Sequence, residues 1–168
     1  MTARTSWLAA VVFLVPLCAR AACPPPPEQS ALVQALWATE WNFPDSVAEP
    51  QRQALALGLL DCLGSSDPVW RDERAFEALS AWMRGKRLAV PTLQAMRQRL
   101  VEVLEAPADA AGFHQPFAAL VLAEVARVDR LQPFLSAEER DALVNLGCDL
   151  LQGYLFAKPN IAFPTVKW

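Results

Sequence analysis

The chain has 168 residues, of which 54% are apolar and 20% charged, and this composition is typical of one globular domain rather than a disordered polymer. Its net charge of −3 includes Arg4 and Arg20, which lie in a segment that we expect to be removed. Their loss takes the basic residues from 15 to 13 against 18 acidic residues, so the mature chain carries −5. A weakly acidic chain has no general attraction for nucleic acid or anionic lipid, and we expect no nucleic-acid partner.

Residues 1–21 have the features of an export signal. Arg4 supplies the positive start, an apolar run covers residues 7–17, and Ala19-Arg20-Ala21 gives a small-x-small cleavage pattern. The run is shorter than the roughly 20 apolar residues that a spanning helix needs. We therefore expect a signal peptide, an exported, periplasmic mature chain from Ala22, and no transmembrane span.

Lipoprotein anchoring through Cys23 is the minority alternative. Ala22 before it is small, as lipidation requires, but Arg20 occupies the position where an aliphatic residue is usual. Residues 22–29 contain four consecutive prolines and are predicted to be a stiff linker ahead of the domain.

Removal of the signal leaves three cysteines, Cys23, Cys62 and Cys148. Cys62 and Cys148 each lie on an apolar helical stripe, so they are either bonded to each other or buried as free thiols; geometry decides between these alternatives. The chain has no C-x-x-C pair and a single histidine, His114. We therefore expect no metal site of the usual Cys/His kind and no cofactor.

Residues 30–156 are predicted to form a helical domain, because apolar residues recur at three- and four-residue spacings and no segment alternates with period two. Gly64 and Gly85 are expected to end two of the helices, Gly64 in a left-handed cap. The prolines of residues 157–168 predict an irregular tail. The predicted helices begin near Gln29, Pro50, Pro68, Pro91, Pro116 and Ser136.

Two local patterns refine this prediction. Asp67-Pro68 is a strong helix start, since Asp67 can accept a backbone hydrogen bond and Pro68 needs no donor; Arg71 lies one turn on and can pair with Asp67. The aromatic residues Trp37, Trp41 and Phe43 are expected to pack under the first full helix pair, with an exposed aromatic ledge as the alternative. The expected fold is all-α, with antiparallel helix pairs stacked as a short HEAT-like α–α array.

A further pattern is carried by three segments, Leu59–Asp72, Phe117–Glu124 and Pro133–Glu139. In order and spacing they resemble an uncharacterised bacterial helical family called domain of unknown function 2785. The resemblance implies a HEAT-like helical array and no established activity. In the family pattern, a Gly-Trp segment and a helix with two histidines one turn apart follow the last matching helix. The corresponding region here, Phe156–Trp168, has no histidine, so we also consider a chain truncated at its C-terminus.

Glu124 and His114 are the candidate catalytic residues. Glu124 is the only ionisable residue between Pro116 and Ala126, and a desolvated carboxylate there would have the raised pKa of a general acid; the alternative is a wet helix edge or a pair with an arginine. His114 is a candidate base, but the sequence shows neither a nucleophile nor an orienting group for it, and a capping or surface role is the alternative.

Five basic residues form a predicted basic elbow with no acidic residue between Glu77 and Glu102. Such a cluster could bind a carboxylate or phosphate group on a partner, or be a set of solvated charges at a turn. The five are Arg84, Lys86, Arg87, Arg97 and Arg99.

The sequence therefore favours a non-catalytic scaffold that binds protein or peptide. Two alternatives stay open: a fragment of a larger helical array that lacks its C-terminal layer, and a hydrolase-like enzyme that uses Glu124 or His114. The sequence predicts neither the partner nor the oligomeric state.

Overall fold

Six α-helices, one 3₁₀ segment and one π-helical segment follow one another in residues 23–146, the part of the chain that the computed structural model describes. No β-strand occurs within this range, so the all-α prediction is confirmed. The predicted signal peptide, the tail and Cys148 lie outside it. In chain order the elements are α1 (Pro27–Ala38), α2 (Glu49–Leu59), the 3₁₀ segment (Leu60–Gly64), the π-helical segment (Val69–Phe76), α3 (Glu77–Arg84), α4 (Val90–Glu105), α5 (His114–Leu131) and α6 (Ala137–Asn145).

The helix starts follow the sequence signals. Proline occupies the first turn of α1, α2 and α4, where its missing N–H removes no helical hydrogen bond. The carboxylate of Asp67 accepts the Val69 N–H at 2.9 Å. Ser136 and Glu139 form a reciprocal capping box at α6, with hydrogen bonds of 3.2 and 2.8 Å.

The core lies where α4 and α5 pack along each other and against α2 and α3, in the stacking expected of antiparallel helix pairs. Trp82 of α3 is its largest fully buried side chain, and its indole N–H donates to the Trp41 carbonyl at 3.0 Å. Trp41 and Phe43 both contact the Trp82 ring, as expected of the aromatic cluster. Trp37 departs from this expectation, because it is 42% exposed and lies over the Arg74 guanidinium.

The π-helical segment interrupts the helix expected from Pro68 to Arg84. Arg71 and Arg74 are buried in this wider turn, whereas helical periodicity alone would place them outside the buried stripe of the helix. Arg71 pairs with Asp72 at 2.6 Å and donates to the Ser65 carbonyl at 3.1 Å, so the expected pair with Asp67 does not form.

Gly85 follows the last residue of α3 as predicted, whereas Gly64 ends the 3₁₀ segment without the left-handed cap predicted for it. Gly64 has no positive φ; a Cβ at this position would lie 2.9 Å from Cγ of His114, so the glycine allows the start of α5 to pack closely. Gly85 follows α3 with a φ of −77°, and the left-handed position belongs to Lys86, with a φ of 55°.

A disulfide joins Cys23 to Cys62, with 5.0 Å between the Cα atoms. A cysteine forms one disulfide, so the alternative of a Cys62–Cys148 bond is wrong, and so is a free Cys62 thiol. The linker prediction also fails for residues 23–29: Pro25 is buried, its carbonyl accepts the Ser30 hydroxyl at 2.6 Å, and α1 already begins at Pro27. A lipid on Cys23 would need the same sulfur, so lipidation and this disulfide exclude each other.

Candidate binding site at the elbow between α3 and α4

The elbow, residues 85–89, reverses the chain between α3 and α4 through a tight set of backbone hydrogen bonds. The N–H of Gly85 donates to Ala81 at 2.8 Å, and the N–H of Arg87 donates to Trp82 at 2.8 Å. Lys86 takes the left-handed position between them, which is uncommon for a residue with a side chain. The backbone therefore fixes where the Lys86 side chain leaves the elbow.

Gln53 of α2 holds the far side of the elbow. Its amide nitrogen donates to the Arg87 carbonyl at 3.1 Å, and its amide oxygen accepts the Ala89 N–H at 3.1 Å. One side chain therefore satisfies both a backbone acceptor and a backbone donor and attaches the elbow to α2.

A pocket of about 250 Å³ lies between the elbow, the start of α4 and the end of α5. Seven of its lining residues are apolar, and only Lys86 and Gln132 bring polar side chains. Its volume is below the roughly 300–1,000 Å³ typical of drug-sized ligand sites, so it suits one apolar side chain better than a cofactor. The apolar lining consists of Met83, Leu88, Ala89, Val90, Leu93, Val128 and Phe134.

The basic elbow predicted from the sequence divides into two groups. Three of its arginines are engaged within the protein: Arg84 pairs with Glu124, Arg97 with Glu139 at 2.6 Å, and Arg99 with Asp61 at 2.8 Å. Arg99 also donates to the Leu57 carbonyl at 2.7 Å. These arginines tie α3, α4 and the helices beside them together. That they also bind an anion on a partner stays a prediction.

Lys86 and Arg87 form the second group. Both are exposed, and neither side chain pairs with a carboxylate among residues 23–146. Lys86 also lines the pocket. The part of the basic elbow that lies at the pocket is therefore Lys86 alone, since Arg87 is exposed but is not a lining residue.

The pKa of Glu124 is shifted in the opposite direction from that of a general acid. Its side chain is 12% exposed, and this burial raises its pKa, but the hydrogen bonds and positive charges of Arg84 and Arg127 outweigh burial, so the pKa of Glu124 lies below its ordinary value. The Arg127 contact is 2.7 Å. The raised-pKa hypothesis is wrong, and the alternative of a pairing with arginine is confirmed.

His114 is in the first turn of α5, with its ring against Gly64. Its backbone N–H donates to the Asp109 carboxylate at 3.1 Å, so Asp109 performs the capping role that the sequence suggested for the histidine. Within residues 23–146, no hydroxyl, thiol or carboxylate is hydrogen-bonded to the ring. His114 therefore lacks both the nucleophile and the orienting group of a catalytic base.

Sequence reasoning missed most of the pocket. Leu88 and Val90 flank the basic residues directly, and their position was the one local signal of an apolar site. Val128, Gln132 and Phe134 come from the end of α5 and the turn after it, about forty residues further along the chain. Only the fold brings them to the elbow.

No family model, no curated protein and no solved structure matches this chain. The resemblance to the bacterial helical family named above therefore stays a prediction. In residues 23–146, no three His, Cys, Asp or Glu side chains converge as a metal site requires. No helix of the same range is both long and apolar enough to cross a membrane.

Proposed function

We propose that this protein is an exported, non-catalytic helical scaffold that binds a protein or peptide at the elbow pocket. The observation that carries the proposal is an apolar pocket beside a lysine that pairs with no carboxylate in the described residues. Protein interfaces are commonly organised in this way, with one apolar anchor in a small pocket and a polar or charged rim around it.

The rigidity of the elbow supports this proposal. The Gln53 amide and the backbone hydrogen bonds fix the rim before any partner arrives. A preformed site loses less side-chain and backbone entropy on binding than a flexible one. The exposed Val90, 39% accessible at the first position of α4, extends the apolar surface from the pocket to the solvent.

The disulfide supports the proposed export to the periplasm. Disulfides form and persist in oxidising compartments and are rare in the reducing cytosol of most cells. Because Cys23 is bonded to Cys62, we propose a soluble periplasmic form over a lipid-anchored one. We also propose kinship with domain of unknown function 2785, supported by the all-helical fold alone.

Two exposed valines provide a matched test of the binding proposal. Val90 is at the pocket, whereas Val144 of α6 is 53% exposed and is not among the lining residues. Aspartate at position 90 enters the first turn of a helix, where a negative charge suits the helix dipole, so we expect Val90→Asp to fold. Wild type, Val90→Asp and Val144→Asp are immobilised, and polypeptides captured from a periplasmic extract are quantified by mass spectrometry.

We expect wild type and Val144→Asp to retain the same polypeptide, and Val90→Asp to retain at least about tenfold less, because a charge in the apolar contact costs more than about 1.4 kcal/mol. Circular dichroism is used to check that both variants are folded. Equal retention by Val90→Asp and wild type, or no specific retention by any of the three proteins, contradicts the proposal.

A further inference from the structure

We infer that the elbow pocket recognises the C-terminal residue of its partner, with an apolar side chain in the pocket and the free α-carboxylate beside Lys86. This inference rests on the proposed function and names the part of the partner that binds. Three features of the site support it: the small volume of the pocket, its mainly apolar lining, and the presence of a lysine in that same lining.

The size and lining of the pocket select the side chain. About 250 Å³ bounded by Met83, Leu88, Leu93, Val128 and Phe134 accommodates one aliphatic or aromatic group. Leu88 and Leu93 are buried and supply two of the apolar lining side chains. Seven of the nine lining residues are apolar, so an apolar side chain gains more from burial there than a polar one does.

The electrostatics of the rim select an anion. The Lys86 ammonium belongs to a residue held in place by the backbone hydrogen bonds of the elbow, and no carboxylate of the described residues neutralises it. α4 begins at the same rim, after Ala89, with no side-chain cap. The positive end of its dipole therefore adds to the field of the lysine.

The proximity of the two features selects a chain terminus over an internal acidic residue. Lys86 lines the same small pocket as the apolar residues, so the anion and the apolar group of a ligand must be close to each other. In a C-terminal residue, the carboxylate and the side chain are attached to one carbon atom. In an internal segment, the nearest carboxylate belongs to a neighbouring residue and is separated from the apolar group by the backbone. Capture of a C-terminal carboxylate is a known mode of peptide recognition.

The test uses the full mature chain, labelled with ¹⁵N, and follows amide resonances of residues 83–93 during titration. The probes are acetyl-Gly-Gly-Leu as the free acid, the same peptide as the carboxamide, and hexanoate as a free amphiphile. The protein variants are Lys86→Gln and, as the matched control on the neighbouring residue, Arg87→Gln. We expect the free acid to bind with a dissociation constant on the order of 1 mM, as befits a single anchor residue.

We expect the carboxamide to bind about two- to fivefold more weakly than the acid, which is the range expected for the loss of one exposed charge pair. We also expect Lys86→Gln to abolish the difference between the two peptides and Arg87→Gln to preserve it. Equal binding of acid and carboxamide would overturn the inference while leaving the proposed function intact. Tighter binding of hexanoate than of the peptide acid, or no shifts in residues 83–93 with any probe, would overturn it as well. The proposed function itself is tested separately, by the comparison of polypeptide capture by wild type and Val90→Asp.

Discussion

Glu124 shows how a residue's charge depends on partners that are far away in sequence. Its position in an apolar helix predicted a raised pKa, because burial disfavours the ionised form. The structure brings Arg84 from 40 residues earlier to its carboxylate, beside Arg127 from one turn later, and the pKa falls instead. Periodicity identifies a desolvated position, but the sign of the shift depends on the packing of α3 against α5.

Asp129 gives a testable pH dependence. Only 5% of this residue is exposed; it accepts the N–H groups of Phe134 and Leu135 at 2.7 and 2.8 Å and pairs with Arg140 at 2.7 Å. Burial raises its pKa, but these hydrogen bonds and the Arg140 charge outweigh burial, so the pKa of Asp129 lies below its ordinary value in the folded protein. The stabilisation is therefore complete above the pKa of about 3.9 in the unfolded chain and is lost as the pH falls through the lower folded pKa.

We expect Asp129→Asn to lower the free energy of unfolding at neutral pH by about 2 kcal/mol and to flatten its dependence on pH below about 4. Urea unfolding between about pH 6 and pH 3 measures both effects. Asp141→Asn, at an exposed position of α6, serves as the control and should change little. An unchanged slope in Asp129→Asn would show that another group causes the acid sensitivity.

The elements separate into those that local signals define and those that tertiary contacts define. Proline in the first turn and the Ser136–Glu139 capping box could be read from sequence, because each satisfies or removes a backbone donor within one turn. The π-helical segment could not be read from sequence, since its wider turn accompanies contacts of Arg71 with Phe113 and of Arg74 with Trp37. These partners lie in other elements.

The disulfide determines how firmly α1 is attached. Only Val33 and Leu36 of this helix are buried, so non-covalent packing holds it over a small area. The Cys23–Cys62 disulfide adds a covalent attachment just before its N-terminal end. The bond closes a loop with a sequence separation of 39. In the chain-entropy description, a loop of that length destabilises the unfolded state by about 4 kcal/mol. Helical stripes pointed to a buried Cys62, but not to its partner, because the proline segment carries no periodic signal.

We expect reduction with dithiothreitol to lower the free energy of unfolding by up to about 4 kcal/mol, measured by urea denaturation. Cys23→Ser should show the same loss and no further response to the reductant. Non-reducing peptide mapping should recover Cys23 linked to Cys62. Recovery of Cys62 linked to Cys148, of a lipid-modified Cys23, or of identical stabilities with and without reductant would contradict this arrangement.

At the scale of the whole molecule, the stacked helices place residues from α3, α4 and α5 around one small pocket. The fold class follows from periodicity, since helices with apolar stripes must pack on one another. The site does not follow from periodicity, because Gln53, Val128 and Phe134 lie at the elbow only once the helices are stacked in this order. Of the five basic residues that marked this region in the sequence, packing engages three in ion pairs. The other two are Lys86 and Arg87, and only Lys86 lines the pocket.

Binding of a polypeptide partner at the elbow pocket can be measured by amide hydrogen exchange of the mature protein. Exchange is compared with and without the polypeptide captured in the Val90 and Val144 comparison. We expect slower exchange on binding in residues 83–93 and 128–134, with little change in residues 106–113. Protection confined to other parts of the chain, with the elbow unchanged, would contradict binding at the elbow pocket.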